Sequence, residues 1–436
     1  MTDLLTLVTT DYAGITRGRS IPAQEFNPGK AKSVGWVPAN MSLTPFDQIA
    51  DPNPWGSSGD LRLLADENAR YRVVLPGAAT ATDMIMSNIT TLDGTAWDLC
   101  PRTFLAKALA DFEALTGLCL VASFEHEFQL SGTGWAQAPA FSLRAMRKAD
   151  PFGPELISAL ADLGCAPEVF IAEYGRDQFE VTMAPSPGLV AADRAVALRE
   201  VVRELAALKG WRASFAPKTA VDGVGNGVHI HFSFQDANGH NVTYDPARPG
   251  CVSALAGAFA AGVIRHMPAL VALTAPSPIS YLRLRPHNWS SSYTWFGDRD
   301  RESSLRICPV TTIGGADPAR AFNLEYRAAD ACACPHLALG AVVRAGIEGI
   351  RAGLSDPPLF SGDPETLSAQ DRLNLGLERL PATLGDALDR FQQDKKVLGW
   401  FSPLAQETYL GMKRAEITLA GEALDDALCA RYAGIY

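Results

Sequence analysis

The chain has few of the features that mark a secreted, metal-thiolate or nucleic-acid-binding protein. Its eight cysteines are scattered, and no two of them form a Cys-x-x-Cys pair. This spacing argues against a cysteine zinc site and against a disulfide framework, so we expect reduced thiols in a cytoplasmic protein. Basic residues are also in deficit, with 38 Lys and Arg against 48 Asp and Glu, for a net charge of −10. We therefore do not expect a nucleic-acid partner.

Long hydrophobic segments are missing as well. The most apolar stretch, residues 252–264, is shorter than the roughly 20 residues that cross a bilayer. We interpret it as a buried helix and expect no membrane association. Met1 is followed by Thr2 and Asp3 and not by a basic segment, so a secretory signal is not expected either.

The length of 436 residues favours two domains. The first part is rich in Pro, Gly, Asn and Asp, and strands are suggested at residues 4–9 and 70–75. Apolar residues then recur at helical spacing over 101–118. We place the domains at 1–98 and 99–436.

Two short segments of the second domain alternate polar and apolar residues with the two-residue period of a β-strand. The first places Glu125 and Glu127 on one face, opposite phenylalanines. The second places His229, His231 and Ser233 opposite apolar residues. Carboxylate and imidazole groups are the side chains that hold divalent metals, so these faces are candidate metal ligands.

Two further segments repeat this pattern. One presents Glu180, with Glu173 just upstream, and the other presents Glu325 and Arg327 two residues apart. A solvated strand face explains any one of these segments, but four together predict a site for metal and phosphate. The oxygen-rich ligand set suits Mg²⁺ or Mn²⁺ better than structural zinc.

Eight motifs follow one another along the chain. They are DYAGITRGR at 11–19, FEHEF at 124–128, EYGRDQFE at 173–180, FAPK at 215–218, GNGVHIHFS at 225–233, SYLRL at 280–284, RESSLR at 301–306 and EYR at 325–327. In order and spacing these motifs resemble those of glutamine synthetases. The resemblance is strongest to the subgroup that joins glutamate to amines other than ammonia, and it covers nearly the whole chain. The third motif has Asp177 where the family usually has glycine.

This resemblance implies an α+β fold. A small β-grasp-like N-terminal domain would precede a large glutamine-synthetase-type α/β catalytic domain, whose antiparallel sheet carries the metal ligands. It also implies self-association into a ring, with a dodecamer as the expected size and active sites between neighbouring subunits.

The resemblance further implies an ATP-dependent ligase that phosphorylates the γ-carboxylate of glutamate and joins it to a small amine. Two or more Mg²⁺ or Mn²⁺ ions would assist. One would lie near the amino acid, held by Glu127, Glu173 and Glu180. The other would lie on the phosphates of ATP, held by Glu125, His229 and Glu325.

The same resemblance assigns the remaining polar residues of the motifs. Arg283 would bind the carboxylate of the amino acid, with Gly225 close to the substrate. His231 and Ser233 would lie near the nucleotide. The transferring phosphoryl group would be contacted by three arginines, namely Arg301, Arg306 and Arg327.

The chain departs from the glutamine synthetase pattern at the amine. Trp289 stands where the family has a loop glutamate that helps to deprotonate ammonium, and residues 287–292 contain no carboxylate. An alkyl or aromatic amine would suit a tryptophan here, although the side chain could simply pack the loop. Asn323 replaces an arginine near ATP, and Asp47 is a loose counterpart of the ammonium-binding aspartate. Three alternatives stay open: a glutamine synthetase using ammonium, a ligase for a different acid, and a non-catalytic ring-forming relative.

Overall fold

A computed structural model describes residues 2–436 and contains two β-sheets. The N-terminal sheet has the strand order β2-β1-β5-β4-β3, in which only the pair β1–β5 is parallel. Its strands are β1 (Leu4–Thr10), β2 (Thr16–Pro22), β3 (Ser33–Trp36), β4 (Leu61–Val73) and β5 (Thr82–Thr90).

The second sheet carries the predicted ligand strands. Its main path is β12-β13-β14-β11-β6-β8-β7, with β9 and β10 also pairing with β6, and every pair except β12–β13 is antiparallel. The strands are β6 (Cys119–Ser131), β7 (Pro167–Ala172), β8 (Gln178–Met183), β9 (Ser186–Pro187), β10 (Arg212–Ser214), β11 (Val228–Gln235), β12 (Phe296–Asp298), β13 (Leu305–Ile307) and β14 (Leu324–Tyr326).

Helices α1 (Pro101–Thr116) and α4 (Gly188–Leu208) pack on β6, the central strand of this sheet. The other helices are α2 (Leu143–Arg147), α3 (Phe152–Asp162), α5 (Ala254–Thr274), α6 (Ser280–Arg283), α7 (Pro318–Ala321), α8 (Pro335–Arg351), α9 (Ala369–Leu375), α10 (Leu384–Gln393), α11 (Lys395–Leu398), α12 (Pro403–Ala420) and α13 (Asp426–Ala433). Apolar and polar side chains alternate along β6 and β11, so each strand has one apolar face. Phe124, Phe128, Ile230 and Phe232 are at most 1% exposed on that face, while Glu125, Glu127, His229 and His231 point to the other face.

The predicted α+β architecture is confirmed, and so is the antiparallel sheet that carries the candidate ligands. The predicted boundary between residues 98 and 99 falls in the connection between β5 and α1, and it stays a prediction. Strand β4 is longer than expected and has an irregular register between Ala65 and Arg70. The polar residues Asp66, Glu67 and Asn68 occupy that irregularity, and the strand suggested at residues 70–75 corresponds only to the part of β4 that follows it.

The apolar segment at 252–264 belongs to a longer helix than predicted. Helix α5 continues through Pro268 to Thr274. By length and composition it could cross a membrane, but 67% of the relevant 18-residue window is buried inside the protein. It packs closely on α8 at a pair of glycines, where a Cβ on Gly262 would lie 2.7 Å from the amide nitrogen of Gly349. These contacts are those of a core helix.

Candidate active site

The register of three strand pairs brings the predicted ligands together. His229 lies directly opposite Glu125 on β6, and Glu127 lies opposite Glu180 on β8. His231 lies opposite Glu325 on β14. Directly opposed residues have Cβ atoms about 5 Å apart, so one face of the sheet concentrates carboxylates and imidazoles.

Glu125 is the centre of a first group of side chains, which also contains His229, His231 and Glu325. Its Oε1 is 2.8 Å from His229 Nδ1, and its Oε2 is 3.2 Å from His231 Nε2. Burial opposes ionisation of Glu125, but the hydrogen bonds with the two histidines outweigh it and hold its pKa well below the usual value. Burial and the nearby Arg327 lower the pKa of His229 to about 4, so this imidazole is neutral, as a metal ligand must be.

Three ligand atoms of this group, from Glu125, His231 and Glu325, lie within 4.8 Å of one another. His229 is adjacent, with its Nδ1 3.5 Å from Glu325 Oε1. The family resemblance assigned His229 and not His231 to the metal, but in the structure both histidines lie within 4.0 Å of the carboxylates of Glu125 and Glu325. Asn323, where the family pattern led us to look for arginine, places its amide oxygen 2.9 Å from His231 Nδ1.

The second group of acids is crowded and carries the opposite pKa shifts. Burial raises the pKa of Glu127 to about 7, and burial together with the charge of Glu125 raises that of Glu180 well above its usual value. Burial also raises the pKa of Glu173. Glu127 accepts a hydrogen bond from the amide of Gly227 at 2.6 Å. Such a cluster is unfavourable when fully ionised, and its carboxylate oxygens fit a hard divalent cation such as Mg²⁺ or Mn²⁺.

Three of the four predicted arginines are buried beside these acids. Glu325 lies between Arg306, whose Nη1 is 2.8 Å from Oε2, and Arg327, which hydrogen-bonds Oε1. Arg283 donates to the carbonyl of Ala329 at 3.1 Å, and its Nη2 lies 3.4 Å from His229 Nε2. The cations therefore line the same face as the metal ligands.

The glycines of the GNG segment make room for one of these arginines. A Cβ on Gly225 would lie 3.0 Å from Arg283 Cγ, and a Cβ on Gly227 would overlap the Arg283 guanidinium. Gly225 was predicted to lie close to substrate. In the structure it contacts the arginine predicted to bind the substrate carboxylate.

Three predicted residues are placed less centrally. Ser233 is buried on β11 two residues beyond His231. The Arg301 side chain is exposed, and its carbonyl accepts a hydrogen bond from Arg327 Nε at 3.1 Å. The Trp289 side chain is 70% exposed and does not contact the ligand cluster, but its carbonyl lies 3.3 Å from Arg327 Nη2.

The sequence analysis did not single out Glu302, which contacts the loop that contains Trp289. Its carboxylate accepts hydrogen bonds from the backbone amides of His287 at 3.3 Å and Trp289 at 2.6 Å. The loop itself has no acid, but a carboxylate from the connection between β12 and β13 hydrogen-bonds its backbone. No sequence signal marks this contact, because it depends on how two loops fold back on each other.

Asp177 explains why the third motif usually has glycine at this position. Its φ is 52°, in the left-handed region that aspartate tolerates better than most residues. Its carboxylate is held by Lys148 at 2.5 Å and by Thr133 at 2.9 Å. The ion pair thus secures the turn that leads from Glu173 into β8.

Comparisons with known proteins found matches over nearly the whole chain. The profile of the glutamine synthetase catalytic domain matches residues 98–432, and that of the glutamine synthetase N-terminal domain matches residues 1–97. The gamma-glutamylpolyamine synthetase GlnA3 of Streptomyces coelicolor is 34% identical, over 98% of this chain and 92% of its own length. A glutamine synthetase of Pyrococcus woesei is 29% identical, over 90% of this chain and 85% of its own. A crystal structure described as a novel glutamine synthase homolog is 47% identical, with a TM-score of 0.91 over 100% of this chain and 99% of that one.

Proposed function

Since this chain belongs to the glutamine synthetase family, whose two domain profiles together match residues 1–432, we propose that it joins the γ-carboxylate of glutamate to an amine other than ammonia. The family assignment makes it an ATP-dependent ligase that forms a C–N bond. The observation that carries the proposal is the single sheet face on which the β6, β8, β11 and β14 registers align carboxylates, imidazoles and arginines.

Two metal positions are proposed on this face. Glu127, Glu173 and Glu180 would hold an ion near the amino acid, and Glu125, Glu325 and the histidines would hold one near the phosphates. Bound Mg²⁺ or Mn²⁺ would neutralise charge on the phosphoryl group as it transfers. The raised pKa values of Glu127 and Glu180 support this assignment, because burial and the charges of the neighbouring acids disfavour ionisation there, and a bound cation would offset both.

The arginines are proposed to bind and orient the two substrates. Arg283 would grip the α-carboxylate of glutamate, while Arg301, Arg306 and Arg327 would contact the phosphates. His231 and Ser233 would lie beside the nucleotide. Burial of Arg283 favours a strong charge-assisted contact, because water competes little for its donors.

The reaction then needs two displacements. An oxygen of the γ-carboxylate attacks the γ-phosphorus of ATP, the bond to the bridging oxygen breaks, and ADP leaves. The amine nitrogen attacks the acyl carbon, the bond from that carbon to the phosphate oxygen breaks, and inorganic phosphate leaves. The nitrogen gives up a proton to solvent as the amide forms.

The choice of amine is proposed from the Trp289 loop, residues 285–291. A nearby free carboxylate would favour the deprotonation of ammonium, but this loop has a tryptophan at that position. The Glu302 carboxylate is not free, because it accepts hydrogen bonds from the loop backbone. The similarity to a gamma-glutamylpolyamine synthetase supports the same choice. A glutamine synthetase using ammonium is the second candidate, and the similarity to archaeal glutamine synthetases favours it. A non-catalytic relative fits less well, because the full set of candidate ligands is present on one face.

ADP release distinguishes these candidates. The assay contains ATP, Mg²⁺ and glutamate, with ammonium, short alkylamines, ethanolamine, polyamines or aromatic amines added in turn. We expect strong stimulation by one organic amine and weak stimulation by ammonium. Stimulation by ammonium alone would make the protein a glutamine synthetase, and the absence of any stimulation would require a different acid or a non-catalytic role.

Replacing Trp289 with glutamate is expected to shift amine preference toward ammonium by about ten-fold in the ratio of kcat/KM values, because the new carboxylate can hydrogen-bond a small cation. Trp289→Phe is the matched control, since it keeps an aromatic ring and adds no charge. The ratio is measured with ammonium and the preferred amine in the same ADP-release assay. An unchanged ratio in Trp289→Glu would show that residue 289 does not contact the amine.

A further inference from the structure

The Trp289 loop holds two side-chain-bearing residues in an unfavourable backbone conformation. The φ angles of His287 and Trp289 are 64° and 53°, in the left-handed region, and Asn288 between them is not left-handed. Neither residue is glycine, so the surrounding structure must stabilise this conformation. Alternating handedness turns successive backbone amides toward one side, where they form a concave site for an anion.

The Glu302 carboxylate occupies that concave site. Oε2 accepts from the amide of His287 at 3.3 Å and Oε1 accepts from the amide of Trp289 at 2.6 Å. The loop is tied down at two more points, since His287 Nε2 lies 2.9 Å from Asp363 Oδ2 and Ser290 Oγ donates to the Arg283 carbonyl at 2.5 Å. The Glu302 carboxylate hydrogen-bonds the backbone of both left-handed residues.

Arg327 links the contact between Glu302 and the Trp289 loop to the candidate active site. Its Nη2 donates to the Trp289 carbonyl at 3.3 Å, and its Nε donates to the carbonyl of Arg301, the residue before Glu302. The same guanidinium also pairs with Glu325. A loop released from Glu302 would therefore move both the Trp289 side chain and one hydrogen-bond partner of Arg327.

We infer that Glu302 is a positioning residue that fixes the Trp289 loop at the amine side of the site and thereby sets the selectivity between amines. Glu302 acts through the backbone of the loop and through Arg327, and it does not touch substrate. The expected effect on amine selectivity rests on the proposed ligase function. The contact that fixes the loop rests only on the hydrogen bonds from its backbone to Glu302.

The test compares Glu302→Ala with Glu302→Gln and with Asp298→Ala. Asp298 is an exposed acid at the end of β12 whose carboxylate pairs only with its neighbour Arg299 among the described residues, so it controls for loss of a nearby negative charge. We expect hydrogen exchange in peptides covering 285–291 to become about ten-fold faster in Glu302→Ala, since two charge-assisted hydrogen bonds are lost. Glu302→Gln should be intermediate, and Asp298→Ala should match the unmodified protein.

Kinetics provide the second readout. In Glu302→Ala the KM for the preferred amine should rise about ten-fold, and kcat should change less than KM does. The ratio of kcat/KM for the preferred amine to kcat/KM for ammonium should fall. Unchanged exchange in 285–291 would overturn the inference, and so would faster exchange with unaltered amine KM and selectivity. If no amine stimulates the unmodified protein, the proposed function fails while the exchange data still decide whether Glu302 holds the loop. Should Glu302→Ala not fold, Glu302→Gln carries the same comparisons.

Discussion

Replacing Glu127 with alanine is expected to lower amine-dependent ADP release by about a thousand-fold or more while leaving the fold intact. A bound metal contributes several kcal/mol to stabilising phosphoryl charge, and each ~1.4 kcal/mol is a factor of ten in rate. Glu127 lies opposite Glu180 and accepts a hydrogen bond from the Gly227 amide, which fits its proposed role as a ligand of the ion beside the amino acid. Among the described residues, no other acid lies opposite Glu180 on β6 that could take the place of Glu127.

The fold should survive because the Glu127 side chain points away from the core. Its strand neighbours His126 and Phe128 are the residues buried on the opposite face, at 1% and 0% exposure. Loss of one carboxylate also relieves repulsion within the Glu127–Glu180 pair, which burial and mutual charge already disfavour. Thermal unfolding and the mass measured by light scattering should therefore match those of the unmodified protein, including any ring it forms.

Glu168→Ala is the matched control for this substitution. Glu168 lies on β7, the strand next to β8, and its side chain is exposed. It removes the same functional group from the same sheet without altering the ligand face, so activity should be unchanged. Near-normal ADP release in Glu127→Ala would refute the metal assignment, and equal losses in both variants would point to a general effect of charge.

The sequence identifies the ligand-bearing strands because each alternates strictly. The period of two places Glu125 and Glu127 on one face and His229 and His231 on one face without any structural information. It cannot say which residues stand opposite each other, since a shift of one residue in β11 would exchange the faces. The pairing of Glu125 with His229 was accessible only through the resemblance to a family of known fold.

Contacts made by irregular backbone were the hardest to predict. Glu302 reaches the amides of residues 287 and 289 because the loop adopts left-handed conformations at both, which no propensity favours for histidine or tryptophan. The space that Gly225 provides for Arg283 likewise depends on a side chain 58 positions away in the chain. Such features arise from tertiary packing, so neither periodicity nor composition contains them.

Removing divalent metal is expected to abolish ADP release and to make thermal stability fall as pH rises from 6.5 to 8. The folded-state pKa of Glu127 is about 7, above the ordinary value of 4.5, and that of Glu180 is also raised. A carboxyl group whose pKa is raised on folding stabilises the folded state fully below its unfolded pKa. That contribution is lost as pH rises through the folded pKa, because ionisation in the crowded site is unfavourable. Between pH 6.5 and 8 we expect Tm to drop by about 1 to 2 °C, the shift that roughly 1 to 2 kcal/mol produces in a chain of 436 residues.

The pH window from 6.5 to 8 separates the effect of these acids from that of His229 but not from that of His231. His229 has a lowered pKa of about 4, so its effect opposes the trend only below the ordinary histidine value of 6.5. His231 has a raised pKa, despite burial, through hydrogen bonds with Cys308 and Glu125, and it acts in the same direction as the acids above pH 6.5. Glu127→Gln should reduce the fall without abolishing it, since Glu180 and His231 remain.

Metal should reverse the trend, because Mg²⁺ and Mn²⁺ bind the ionised carboxylates that the metal-free protein disfavours. The rise in Tm on adding Mn²⁺ to chelator-treated protein should therefore be larger at pH 8 than at pH 6.5, and smaller in Glu127→Gln at both. Differential scanning fluorimetry measures these shifts without any need for turnover. A metal-free Tm that stays constant or increases over this range would contradict the proposed acidic site, and an equal Mn²⁺ effect in Glu127→Gln would remove Glu127 from it.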